Sequence, residues 1–160
     1  MSRALEDLAP DFIDTARAVL RLLEGKPVMV YMTRRTTAEQ AAFFAQGRKP
    51  LAQVNASRLL ADLPPIAPGD NLVTLTNCDG IQYPSPHQSG RAIDIVAVDA
   101  HGNPSWDYAK YAEVYKAIRD AAIEAGADPG ASWLKHRDGT PSPYAKWGLG
   151  WDPPHVQKRS

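Results

Sequence analysis

The sequence predicts an α+β fold, a small antiparallel sheet flanked by helices, and three observations carry that reading. Apolar residues recur at helical spacing in several stretches, three of which end at a glycine. Two runs, Val28–Met32 and Arg91–Val98, are short, apolar and rich in β-branched residues. Two segments of mixed histidine and aspartate then place a candidate zinc site at the sheet.

The first helix is expected from about Pro10 to Glu24, with Phe12, Ile13, Ala16, Val19, Leu20 and Leu23 on one face and Gly25 as its stop. Val28 to Met32 reads as a buried strand. Thr36 and Glu39 have the spacing of a capping box, which predicts a second helix running to Ala45 or Gln46, with Gly47 ending it. Leu51 to Leu60 reads as a short helix, and the proline-dense ADLPPIAPGDN as a loop. Leu72 to Leu75 is expected to be a strand, and Asn77 to Gly90 a long loop. Arg91 to Val98 alternates as a strand, and residues 99–103 form a turn. Tyr108 to Ala125 is the longest predicted helix, with Tyr111, Val114, Tyr115, Ile118 and Ala122 on one face and Gly126 as its cap. Asp128 to Tyr144 reads as irregular, and Lys146 to Gly150 as a strand.

At 160 residues the chain is expected to be a single domain, 1–160, with no repeat or linker to divide it. Hydrophobic residues make up 44% and charged residues 22%, an ordinary globular balance. Acids and bases number 18 each, which argues against nucleic acid or an anionic membrane as a partner. Cys78 is the only cysteine, so an internal disulfide and a cysteine zinc cluster are both excluded. The lone thiol fits a reducing compartment. The first residues carry acids and no signal-like apolar stretch, and no run reaches the roughly 18 apolar residues of a membrane span. No membrane anchor is expected, and a monomer is the expectation because no surplus amphipathic surface points to an oligomer.

Period two puts Ile93 and Ile95 on one face of their strand and Ala92, Asp94 and Val96 on the other. With the isoleucines in the core, Asp94 faces away among small or modest neighbours. His87, seven residues earlier, can converge on the same point, and Gly90 allows a turn or a close approach. Asp152 and His155 flank Pro153 and Pro154, whose polyproline II repeat of three would project both side chains to one side. Histidine, aspartate and histidine with a vacant fourth position describe a catalytic zinc site, and a spare carboxylate describes its general base. A lone pair of this kind reads better as a surface histidine and a strand aspartate on the solvent face, and the second segment alone as a proline-rich turn, but the full spacing His-x-x-Gly-x-Ala-x-Asp is much more specific.

Arg35, directly before the Thr36 cap, could bind a substrate carboxylate or a developing oxyanion, with Arg34 a competing choice. Glu39 is best explained as a cap. His101 and His136 read as surface histidines, and Cys78 as a bystander. Trp147 and Trp151 could wall a cleft or pack in the core.

These blocks resemble the zinc peptidases that cut bacterial cell-wall peptides, the D-alanyl-D-alanine carboxypeptidases and phage L-alanyl-D-glutamate endopeptidases of hedgehog-like fold. RTTAEQAAFFAQGR is similar to the family's Arg-Ser-x-x-Glu-Gln helix start, SPHQSGRAIDI to its Ser-x-His-x6-Asp block, and WDPPHVQ to its final Asp-x-Pro-His block. The resemblance spans residues 35–157. It implies that His87, Asp94 and His155 bind Zn2+, that Asp152 is the general base, and that Arg35 stabilises the substrate carbonyl or oxyanion. Carboxypeptidase members generally carry Glu as the base, so Asp152 tilts the reading toward the endopeptidase. The resemblance then implies a peptidoglycan stem-peptide substrate and an endolysin made in a host cytoplasm and released by a holin. A D,D-carboxypeptidase or dipeptidase, and a non-catalytic wall-binding module, are the alternatives. The loop before His87 (TNCDGIQYP) is longer than the family's pattern, and Ala131 to Tyr144 matches none of it.

Overall fold

A computed structural model of the protein describes residues 1–136 and 138–160. The principal helices are α1 (Ile13–Leu22), α2 (Thr37–Ala45), α3 (Leu51–Leu60) and α4 (Ala112–Glu124). The strands are β1 (Val28–Met32), β2 (Ala92–Val98), β3 (Pro104–Ser105), β4 (Asp128–Pro129) and β5 (His155–Gln157). They form one antiparallel sheet in the order β1-β2-β5-β4, with β3 also paired to β2. The architecture is α+β, as the sequence predicts.

Period two in β2 decides what each face of the sheet does. Ile93, Ile95 and Ala97, with Val156 of β5, join Phe12, Ala16 and Val19 of the α1 region and Tyr115, Ile118 and Ala122 of α4 in the main core. The opposite face carries Asp94. Ala92 and Val96 beside it are themselves fully buried, so this face is covered rather than open as the alternation suggested. The α1 and α4 stripes work because residues three and four apart share a helix face. Both helices are shorter than their periodic patterns. Turns replace helix at residues 10–12, and α4 begins only after a turn in which the Asp107 carbonyl accepts the Tyr111 N–H.

β1 is half-buried except at Met32, because it lies at the sheet edge. The Thr36 capping box is present: its hydroxyl accepts the Glu39 N–H at 3.1 Å while the Glu39 carboxylate accepts the Thr36 N–H at 2.8 Å. Two predicted strands are absent. Residues 70–72 form a 3-10 turn, and Leu72 is 85% exposed. That loop follows the end of α2 instead of a strand: Gln46 donates to the Asp70 carbonyl and Asn71 accepts the Gly47 N–H. Ala145–Trp147 is likewise a 3-10 turn, ended by Gly148 at φ +74°. No described helix is long and apolar enough to cross a membrane.

Candidate metal centre and active site

The sheet register builds most of the site. Asp94 pairs with His155 across β2 and β5, and with Met32 across β1 and β2. Directly opposed residues on adjacent strands hold their side chains on one face a few ångströms apart. His87 comes from the turn leading into β2, where Arg91 N–H reaches the Pro86 carbonyl and Gly90 N–H the His87 carbonyl. Gly90 has φ +70°, and a Cβ there would lie 2.8 Å from the Ala9 nitrogen, so only glycine fits.

His87 Nε2 lies 3.1 Å from Asp94 Oδ1 and 3.2 Å from His155 Nδ1, and His155 Nδ1 lies 3.2 Å from Asp94 Oδ1. A tetrahedron with bonds of about 2.0–2.1 Å to zinc has edges of about 3.3–3.4 Å, close to this triangle. The outward nitrogens are engaged elsewhere: His87 Nδ1 with the Thr33 carbonyl at 2.9 Å, and His155 Nε2 with Gln157 Oε1 at 3.1 Å. Each acceptor favours a proton on the outer nitrogen, so that in the neutral rings two imidazole lone pairs and a carboxylate would face one point. The donor set and its outer partners therefore fit a divalent zinc ion. Among the described residues these are the ones that meet as a metal-sized group of His, Cys, Asp or Glu.

In the metal-free protein a proton competes for the place between these three groups. Burial alone would raise the Asp94 carboxyl, but the His87 charge and the hydrogen bond to His155 hold it far below the usual carboxylate range. Burial works against a charge on His155, yet its hydrogen bond to Asp94 and the charges of Asp152 and Asp94 raise it to about 9.

Asp152 and His155 are presented by a tight turn, not by an extended polyproline segment. His155 N–H donates to the Asp152 carbonyl at 3.1 Å. The reason is the sheet: pairing starts at Pro154, whose carbonyl accepts the Ile95 N–H, while Asp152 N–H is drawn to the Gly130 carbonyl. The approach of residues 149–152 to 130–133 requires glycines. A Cβ on Gly130 would lie 2.3 Å from the Asp152 carbonyl oxygen, and one on Gly150 would lie 2.5 Å from the Gly130 oxygen. Crowding by protein raises the Asp152 carboxyl above its ordinary value, the positive field of His155 opposes this, and Asp94 adds to the rise. Asp152 also keeps open surface to solvent, so its withdrawal from water is incomplete.

Arg35, unlike the exposed Arg34, is partly buried and feels the charges of Asp94 and Asp152. Its guanidinium donates to Gln40 Oε1 at 2.7 Å, meets the Met32 sulfur and lies over the Phe43 ring at 4.9 Å. Burial lowers its pKa, and the fields of Asp94 and Asp152 raise it. A guanidinium keeps its charge in such a setting. Gln40 in turn donates to the Cys78 carbonyl at 2.6 Å, which ties the long loop before His87 to Arg35.

His101 is exposed in its turn, and the His136 ring lies 5.4 Å from that of Trp151. Trp147 packs against the core, stacked on Tyr144. In the loop 131–144, Arg137 lies outside the described residues. Sequence reasoning missed Thr33, Gln157, Asp128 and Trp133, and assigned Gln40 no role. Gln157 had a usable signal, since two residues after His155 on a strand means the same face.

No family model matches the chain, and no curated protein sequence matches it. Among solved structures it is similar to the L-Ala D-Glu endopeptidase ChiX of Serratia marcescens, with 24% identity over 97% of this chain and 83% of that one, TM-score 0.48. It is also similar to the vancomycin-resistance D,D-dipeptidase VanXYg in complex with a D-Ala-D-Ala phosphinate analogue, with 17% identity over 94% and 50% of the two chains, TM-score 0.48. A third is a vancomycin-resistance D,D-pentapeptidase VanY in complex with Zn(II), with 17% identity over 94% and 72%, TM-score 0.48.

Proposed function

We propose that this chain is a zinc-dependent peptidase that cleaves the L-alanyl-D-glutamate bond of peptidoglycan stem peptides, acting as a monomeric 1–160 domain of endolysin type. The observation that carries the reading is the triangle of His87 Nε2, Asp94 Oδ1 and His155 Nδ1, each edge 3.1–3.2 Å, with the outer nitrogen of each histidine facing an oxygen acceptor. Zinc bound there would polarise a peptide carbonyl and lower the pKa of a water toward ~7.

The remaining roles fall to this chain's own groups. Asp152, whose charge is felt with those of His155, Asp94 and His87, takes a proton from the attacking water on its carboxylate and returns it to the leaving amine. Its raised pKa suits both halves of that task. Arg35 carries negative charge developing on the carbonyl oxygen, and its fixed geometry means no reorganisation is needed at that moment. The substrate class comes from the resemblance of the sequence blocks, and the choice of bond from Asp152 standing where carboxypeptidases carry Glu. Release from a host cytoplasm by a holin follows from the same resemblance.

Mass spectrometry of purified Gram-negative peptidoglycan, digested with zinc and with chelator, tests this. Free peptides beginning at D-Glu, suppressed by chelator, are expected. Loss of a terminal D-Ala alone would replace the reading with a D,D-carboxypeptidase. No zinc-dependent product would replace it with a binding module.

A further inference from the structure

We propose that Gln157 and Asp128 are positioning residues which hold the His155 ring with Nδ1 bare toward the metal, and so set the zinc affinity of the site. The inference rests on the zinc reading above. Asp128 of β4 is paired with Gln157 of β5 in the sheet register, and β5 also carries His155, opposite Asp94 of β2. Three hydrogen bonds connect them. Trp133 Nε1 donates to Asp128 Oδ1 at 3.0 Å, Gln157 Nε2 donates to Asp128 Oδ2 at 3.2 Å, and Gln157 Oε1 faces His155 Nε2 at 3.1 Å.

The polarity of this chain starts at the carboxylate. An ionised Asp128 can only accept, so the Gln157 amide must turn its NH2 toward it. That leaves the Gln157 carbonyl oxygen facing His155, which can then bond only to a ring carrying its proton on Nε2. In the neutral ring the lone pair of Nδ1 is then left for the metal. Asp94 works the other way in the metal-free protein, since it would welcome a proton on Nδ1 at 3.2 Å. The relay opposes that competitor. The Trp133 indole, whose ring lies 5.5 Å from that of His155, is anchored by the same carboxylate, so Asp128 fixes two sides of the ligand at once.

An aspartate-to-asparagine change breaks the logic without changing shape. In Asp128→Asn the new amide keeps an acceptor for Trp133 only by turning its own NH2 toward Gln157. Gln157 must then flip and present NH2 to His155, which forces the proton onto Nδ1. Exchanging both groups restores it. In Asp128→Asn/Gln157→Glu the amide at position 128 donates to the carboxylate at position 157, and that carboxylate accepts from His155 Nε2–H.

The experiment is zinc affinity, by competition with a chromophoric chelator, for wild type, Asp128→Asn, Gln157→Leu, Gln157→Glu and the double variant Asp128→Asn/Gln157→Glu. Melting of the metal-free forms is followed alongside. Asp128→Asn and Gln157→Leu are expected to weaken zinc about 10–100-fold, the range for loss of an outer partner of a metal-bound histidine. Gln157→Glu alone sets two carboxylates face to face and also weakens it, while the double variant returns to within about threefold of wild type. A merely structural role would show as losses of melting temperature that the double variant does not reverse in affinity. Single variants that bind zinc like wild type, or a double variant no better than its singles, overturn the inference. Should one single variant fail to fold, the remaining single variants set against the double variant still decide. A wild type without zinc affinity instead overturns the zinc reading, and the relay's role with it.

Discussion

Replacing Gly130 by alanine would put a methyl carbon 2.3 Å from the Asp152 carbonyl oxygen and 2.9 Å from the Asp152 Cβ. Gly130 lies outside the left-handed region, so backbone strain adds nothing and the whole effect is this contact. Relief to an ordinary carbon–oxygen separation needs a movement of roughly 1 Å, and the backbone of Asp152 has to make it. Overpacking of this kind costs about 1–3 kcal/mol. At about 2–4 °C per kcal/mol for a chain of this size, melting should fall by about 2–12 °C. A displacement of ~1 Å at a catalytic group costs about 100-fold in rate. The assay is hydrolysis of a stem-peptide substrate by the zinc-loaded protein, with metal content measured on the same sample. Turnover is expected to drop about 100-fold while zinc is retained, because none of the three ligand residues is among the atoms the new methyl meets most closely. Gly102→Ala is the control: its φ of +82° brings strain but no neighbour lies within 4 Å, so it should lose about 1 kcal/mol of stability and no turnover. Wild-type turnover in Gly130→Ala would refute the claim that this contact places Asp152.

Asp152→Asn should keep zinc and lose about 10²–10⁴-fold in turnover, measured by steady-state hydrolysis. Arg35→Lys should lose about 10²–10³-fold with unchanged zinc content, since an ammonium cannot keep the fork held by Gln40 and Met32 while facing the substrate. The pH dependence of the metal-free protein has a definite sign. His155 rises from 6.5 to about 9 on folding, so its contribution is fully present below 6.5 and is lost as pH climbs through about 9. Urea melts should therefore show falling stability across pH 6.5–9, while the zinc-induced gain in melting temperature grows over the same window as the competing proton leaves.

Much of this was legible locally. The Thr36 capping box, β1, α3 and the β2 alternation each depend on residues within a few positions, and each is found in its predicted place. The spacing of His87 to Asp94 was legible for the same reason. The arrangements that local pattern could not give are those made by distant pairing. Leu72–Leu75 has strand-like residues but no partner strand among the described residues, and the end of α2 claims the turn before it. Asp152 to His155 looked extended because two prolines favour that, whereas pairing with β2 and the pull of Gly130 bend the segment into a turn. Asp128 could not be linked to His155 from the sequence at all, since β4 and β5 meet only in the sheet.

The most direct test of the central claim is the metal content of freshly purified protein by plasma mass spectrometry, beside His87→Ala. One zinc per chain is expected in the wild type and almost none in the variant. A wild type without stoichiometric metal, or a His87→Ala protein that retains it, would contradict the assignment of His87, Asp94 and His155 as a zinc site.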